Sequence, residues 1–271
     1  MTPADIEAIE RATLAAVVPQ ALEEIPGWLL PFDSGTVGRA KSAVPIRHDV
    51  PQEMVIDAIA ARYVARGMPP IFRIPSIASF DNARRLLDAR GLPAVFRIPL
   101  AAPFDAFAGL LARSGYASAK PTQVHTAATE IVRRVSKGAP AELATQPDEG
   151  WAQVFLGEGF DPADGASRVK TLSRATGTLF ASVREDGRTV AAGAAAFAHG
   201  WASVHGMRTA QACRGRGLAG RVLASLAAAA SSRGYERMFL QVEAHNAVAQ
   251  SLYRRAGFEP AWTYAYWRKA G

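Results

Sequence analysis

Seven consecutive residues hold the clearest chemical potential in this 271-residue chain: Arg214-Gly215-Arg216-Gly217-Leu218-Ala219-Gly220, with Arg221 directly after. Glycines allow a backbone to approach a ligand closely and to turn successive N–H groups into one concavity. The Ala/Leu-rich run that follows reads as a helix, which adds its unpaired first-turn donors and positive dipole end at the same point. With the guanidinium charges, the physics is that of an anion site of pyrophosphate size. A tight turn at a helix start uses glycines too, so the loop alone does not decide. No Gly-Lys-Ser/Thr follows, which removes a P-loop NTPase. Cys213 precedes the loop but has no evident His partner, so it does not read as an acyl-carrying nucleophile.

Such a loop needs a strand before it and a helix after it, and the second half of the chain supplies both. Residues 179–184, 189–198 and 201–209 read as three antiparallel strands joined at Asp186-Gly187 and His199-Gly200. Asp-Gly is the strongest short hairpin signal. After the loop come a helix to about Ser232, a strand over 235–243, a helix over 246–256 stopped by Gly257, and a last strand over 261–268. Short helices are expected over 150–159 and 166–174. This order demands an α/β fold with a mixed sheet and helices on its faces.

The loop, as Arg214-x-x-Gly217-x-Ala219, resembles the Gln/Arg-x-x-Gly-x-Gly/Ala pyrophosphate loop of the GNAT acyltransferases. Downstream, Asn246-Ala247-x-Ala249-x-x-Leu252-Tyr253-x-x-x-Gly257-Phe258 is similar to that family's second signature. Gly206-Met207-Arg208-Thr209 resembles its fourth strand. The match covers about residues 140–268 and implies a GNAT-type acyl-CoA acyltransferase fold that binds acetyl-CoA.

The resemblance implies roles residue by residue. Residues Arg214, Gly215, Arg216, Gly217, Leu218, Ala219 and Gly220 would cradle the pyrophosphate. Met207, Arg208 and Thr209 would hold the pantetheine arm, with a bulge N–H at Met207 or its neighbour on the acyl carbonyl. Tyr253 would stand near the thioester sulfur, since a phenol (pKa ~10) can protonate a leaving thiolate (thiol pKa ~8.5). Asn246 would touch the cofactor or a bridging water, or simply cap its helix. The base is left between Glu243, at the end of the fifth strand, and His205, on the fourth. The activity implied is acetyl transfer to a primary amine by direct attack in a ternary complex. The alternative is a non-catalytic CoA-binding regulatory protein. No metal is expected.

The first half lacks the glycine loop. Residues 28–32 and 37–46 read as strands about Asp33-Ser34-Gly35, and 52–66 as a helix closed by Gly67. Pro69-Pro70-Ile71-Phe72-Arg73-Ile74-Pro75 recurs 24 residues later as Pro93-Ala94-Val95-Phe96-Arg97-Ile98-Pro99. Two copies are too few for a solenoid, and they read as a duplicated scaffold unit with Phe72 and Phe96 in the core. Residues 86–92 resemble 252–258 with Leu87 in place of Tyr253, and residues 28–42 resemble the first half of certain two-domain GNAT proteins. The expected division is 1–125, a degenerate GNAT-like companion, and 126–271, the catalytic domain. Arg39, Lys41 and Trp28 are candidate acceptor contacts, with surface solvation the plainer role for the two cations.

Composition narrows the partners. Hydrophobic residues at 49% and charged residues at 20% fit a folded globular protein rather than a disordered one. Lys+Arg of 31 against Asp+Glu of 24 gives +7, which favours anionic ligands without choosing among them. No dense basic stripe interleaved with aromatics points to nucleic acid. A single cysteine excludes an internal disulfide and a Cys-rich zinc site. The longest apolar stretch, 223–230, falls far short of the roughly 20 residues that span a bilayer. The start carries acidic residues and does not read as a secretory signal. The expected setting is cytoplasmic, the expected partner a small-molecule or peptide amine, and a homodimer is allowed.

Overall fold

In the computed structural model, residues 1–48, 55–76, 103–157, 159 and 161–269 are described. The chain begins with α1 (Pro3–Val17), started by a capping box between Thr2 and Asp5 with a proline in its first turn. β1 (Ala21–Ile25), β2 (Trp28–Phe32) and β3 (Val44–Pro45) form a small antiparallel sheet. Next come α2 (Val55–Val64), β4 (Ile71–Ser76), α3 (Pro103–Arg113), β5 (Tyr116–Ala128) and α4 (Thr129–Arg133). The rest is β6 (Glu142–Ala144), α5 (Glu149–Gln153), α6 (Pro162–Leu172), β7 (Leu179–Glu185), β8 (Arg188–Ala198), β9 (Trp201–Thr209), α7 (Leu218–Ser232), β10 (Arg237–Glu243), α8 (Ala247–Arg255) and β11 (Glu259–Lys269).

Eight strands build one mixed sheet in the order β4-β11-β5-β10-β9-β8-β7-β6. Among the described residues only β9 and β10 pair in parallel within it. That pair is bridged by α7, a βαβ crossover, while the antiparallel β7–β8–β9 ribbon needs only two-residue turns. Asp186 and Gly187, and again His199 and Gly200, all have positive φ, the primed hairpin geometry. The apolar face of α7, with Val222, Leu223 and Leu226, packs against the sheet together with Ala191, Val204 and Leu240. α1 packs against β8 and β9, its Ile6 and Ile9 clustering with Phe239, Trp262 and Tyr264.

Several expectations are corrected. Residues 37–46 are not one strand: a 3-10 helix (Gly38–Lys41) interrupts them, leaving only β3 at Val44–Pro45. β5 runs unbroken through residue 125 and sits between β11 and β10, so strands from both halves share one sheet. Phe72 is buried as expected, whereas the second repeat copy and residues 86–92 lie outside the described residues. Arg73, also from the first copy, is fully buried and paired with Glu10 of α1 at 2.6 Å. Its guanidinium stacks 4.9 Å from the centre of the Tyr264 ring.

Candidate active site

Strands β9 and β10 are joined only where Met238–Leu240 face Ala202–Val204. Beyond those pairs they part, each held by its outer neighbour, β8 and β5 respectively. The parting opens a cleft of about 250 Å³. Two β-bulges flank it. On β9, Ala192 faces Arg208 but Ala194 faces His205, so Gly206 and Met207 together oppose Gly193. Gly206 takes φ +61°, and a Cβ there would stand 3.0 Å from the Phe155 ring. A Cβ on Gly193 would meet the Met207 sulfur at 2.5 Å, so this glycine makes room for the bulge. The Gly193 carbonyl accepts the indole N–H of Trp151 at 3.1 Å. On β5, Thr122 faces Tyr264 but Ala119 faces Tyr266, which places the extra residue at Lys120–Pro121. Lys120 has φ +51°.

His205, Met207, Arg208, Glu243, Asn246 and Tyr253 all line this one cleft. His205 is 5% exposed, and neither ring nitrogen has a hydrogen-bond partner among the described residues. Burial, reinforced by the Arg39 charge, holds its pKa down to about 3, so the ring is neutral near pH 7. Tyr253 is 8% exposed, and burial pushes its phenol up to about 12, against a lowering pull from Arg208. The hydroxyl therefore keeps its proton. Burial also lowers Arg208, which stacks over Phe155 at 5.6 Å. Asn246 caps α8, its Oδ1 accepting from the Ala249 N–H at 3.1 Å. Glu243 is half-exposed, with His245 Nε2 at 3.2 Å.

The 214–220 loop leaves β9 after a short 3-10 turn (Gln211–Cys213) and enters α7. Gly215 and Gly217 have φ +79° and +76°, and a Cβ at either would meet nothing within 4 Å. Among the described residues the N–H groups of Gly215, Arg216 and Gly217 have no backbone acceptor, and those of Leu218 and Ala219 belong to the first helical turn. An open cradle of free donors at a helix N-terminus fits a pyrophosphate. The Gly220 N–H is already given to Gly217. Arg216 is gripped bidentately by Glu185 at 2.8 and 2.9 Å, Arg221 donates to the Ala139 carbonyl, and Arg214 reaches the Thr209 carbonyl at 3.4 Å. Thr209 pairs with Ala191 at the strand end. Gly215, Gly217 and Gly220 also carry the Gly-x-Gly-x-x-Gly spacing of dinucleotide-binding turns. That fingerprint belongs to open, mostly parallel sheets, whereas this sheet has one parallel pair and it splays.

Comparison with known proteins follows the same lines. The Acetyltransferase (GNAT) family matches residues 143–258, the stretch from β6 to the residue after Gly257. The chain carries a GNAT acetyltransferase domain. Its activity class is therefore acyl-CoA-dependent acetyl transfer. Residues 3–91 match a second family, described as the C-terminal region of the probable histone acetyltransferase Rv0428c. An uncharacterized N-acetyltransferase, YobR of Bacillus subtilis, is 26% identical over 270 residues, covering 97% of this chain and 98% of its own. In fold, the chain resembles a GCN5-related N-acetyltransferase from Kribbella flavida (TM-score 0.64, 18% identity, 98% and 95% of the two chains). It also resembles a tandem GNAT protein from the clavulanic acid biosynthesis pathway (TM-score 0.57, 12% identity, 98% and 96%).

The GNAT cleft also draws on the first half of the chain. Residues 36–39 form part of its wall, as do Lys120 and Thr122 of β5 and Tyr264, Tyr266 and Arg268 of β11. Thr36 is anchored on α6, its N–H donating to Ser167 at 2.9 Å and its hydroxyl to Asp164 at 2.6 Å. Arg39 reaches the cleft. Trp28 does not: it packs between Phe72 and Phe107 in the N-terminal core. The Lys41 ammonium donates to the Gly35 carbonyl at 2.5 Å. Gln241, Lys120 and Thr122 escaped the sequence reading, because their strands had to be placed side by side before they met one cavity.

Proposed function

We propose that this protein is an acetyl-CoA-dependent N-acetyltransferase acting on a primary amine by direct attack in a ternary complex. Residues 126–271 supply the chemistry, and residues 1–125 act as a degenerate GNAT-like companion that completes the acceptor wall. The observation that carries the reading is a cleft lined by a bulged β9 and a buried protonated tyrosine, with an open donor cradle on the loop that leaves β9 and starts α7.

Acetyl-CoA, when bound, supplies an acetyl group activated as a thioester. Gly215, Arg216, Gly217, Leu218 and Ala219 hold its pyrophosphate through backbone N–H groups. Among the described residues Arg214 makes one long contact, to the Thr209 carbonyl at 3.4 Å, and it supplies charge there. The backbone N–H that the bulge leaves outside the ladder at Met207 or its neighbour polarises the carbonyl. The amine's N–C bond forms as the C–S bond breaks. Tyr253 gives its proton to the sulfur, and the amine's proton passes to Glu243, directly or through water. His205, neutral at working pH, holds a water or the incoming amine by one ring nitrogen rather than acting as the base.

Free-thiol release over a panel of amines tests the chemistry, with Tyr253→Phe expected to slow kcat by about 10²-fold or more. Calorimetry tests the placement. CoA is expected to bind the parent, and Gly217→Glu and Ala219→Glu are each expected to abolish binding by putting a carboxylate into the cradle. Wild-type affinity in both folded variants would refute this placement. CoA binding without thiol release from any amine is the signature of a non-catalytic CoA-binding regulator.

A further inference from the structure

The ionisable groups lining the cleft are unbalanced. Arg39, Lys120, Arg168, Arg208 and Arg268 stand there with one acid, Glu243. Arg168 is committed to Asp164 at 2.6 Å. Arg39, Lys120 and Arg268 form no ion pair among the described residues, though the Arg39 charge also acts on the buried Glu10. Nearby acids are already engaged: Glu10 by Arg73 at 2.6 Å, and Asp33 by Arg174. Lys41 is lowered by burial and by the Arg268 charge, against a raising pull from Asp33, which Arg174 already holds.

The cations are placed rather than scattered. Lys120 is the residue that the β5 bulge throws out of the ladder, at a positive φ rare for a side chain with a Cβ. Arg39 donates to Gln241 Oε1 at 3.3 Å, while its Nε is buried with no acceptor. Gln241 is itself fixed, accepting from the Tyr264 hydroxyl at 2.7 Å and donating to Thr13 of α1 at 2.9 Å. A buried guanidinium donor without an acceptor is costly unless a ligand supplies one.

The geometry points to an acceptor that carries an anionic group, carboxylate or phosphate, on the same small molecule as its primary amine. Arg39, Lys120 and Arg268 hold the anion, and Glu243 draws the ammonium. This assignment rests on the N-acetyltransferase reading and narrows its substrate class.

The test compares β-alanine, 4-aminobutyrate and 2-aminoethyl phosphate with β-alaninamide, ethanolamine and 1,3-diaminopropane, by thiol release and by calorimetry on the CoA-saturated protein. The amines that carry an anionic group are expected to have at least a tenfold higher kcat/KM than the counterparts that lack it. In an Arg39→Gln, Arg268→Gln double variant that ratio is expected to fall towards one, while CoA affinity stays within twofold. The carboxylate and phosphate arms show which anion fits better. A wild-type protein that prefers the amide or the diamine, or a ratio that survives in the double variant, overturns the assignment. CoA that fails to bind overturns the N-acetyltransferase reading. CoA that binds while none of the anionic amines binds or reacts overturns this one.

Discussion

His205 lines the cleft while being almost fully buried, and that burial sets what it can do. A ring held to about 3 is a poor acceptor for an ammonium's proton at neutral pH, which is why the proposed mechanism gives that proton to Glu243. The same burial has a price in acid. Unfolded, the imidazole titrates near 6.5; folded, near 3, so between those values the unfolded chain binds a proton that the folded one refuses. His125, buried in β5, is likewise held down to about 4. Stability therefore falls as pH drops below 6.5. The slope reaches at most two protons, about 2.7 kcal/mol per pH unit. Denaturant midpoints measured from pH 7 to pH 5 should show this loss, and His205→Gln should remove about half of it. A flat profile would contradict the burial of both rings. Tyr253 and Asn246 were singled out through the resemblance of residues 246–258 to a family signature, and both line the cleft. Lys120 was not, because its part depends on a bulge that no local pattern announces.

At the scale of elements, Tyr253 is held by the way its helix ends. The Gly257 N–H donates to the Arg254 carbonyl and the Phe258 N–H to the Tyr253 carbonyl, a Schellman closure with Gly257 at φ +86°. Phe258 then packs 6.1 Å from the tyrosine ring. A Cβ on Gly257 would also meet Ile131 of α4 at 2.3 Å. Gly257→Ala is expected to cost about 1–2 kcal/mol from the left-handed backbone alone, read as a lower denaturant midpoint, with kcat falling alongside. A midpoint equal to the parent's would show that the closure does not hold the helix end. Elements with such strong local grammar were readable from sequence: both hairpins of the β7–β9 ribbon, α7 after its glycines, and α8 between Asn246 and Gly257. β5 was missed because Ala, Ser, Lys, Pro and Gln are poor strand formers, and it is a strand through its neighbours on both sides. Residues 37–46 erred the other way, since their apolar character serves packing around a 3-10 turn.

Across the whole molecule, the proposed halves divide labour more than they divide architecture. β5 is flanked by β10 and β11, and α1 covers β8 and β9 through a cluster that includes Phe239 and Trp262. Residues 126–271 expressed alone would lose most of β5 and all of α1, and would uncover those side chains. That fragment is expected to give no cooperative thermal melt. A sharp transition with native-like CoA affinity would show that the catalytic half folds independently. The +7 charge also has a clearer distribution: Arg216 is paired at the loop, while Arg39, Lys120 and Arg268 line the cleft without an ion pair among the described residues.

The strand order β4-β11-β5 has a consequence for the order of events during synthesis. β11 ends at Lys269, yet its place lies between two strands that leave the ribosome well over a hundred residues earlier. Until β11 emerges, β4 and β5 must wait with a gap between them, and the β4–β11 pairing spans about two hundred residues. Contacts so distant in sequence slow folding. Productive assembly is therefore tied to the synthesis of β11, and a chain cut before Glu259 would keep an open slot between β4 and β5 instead of being a slightly shortened protein.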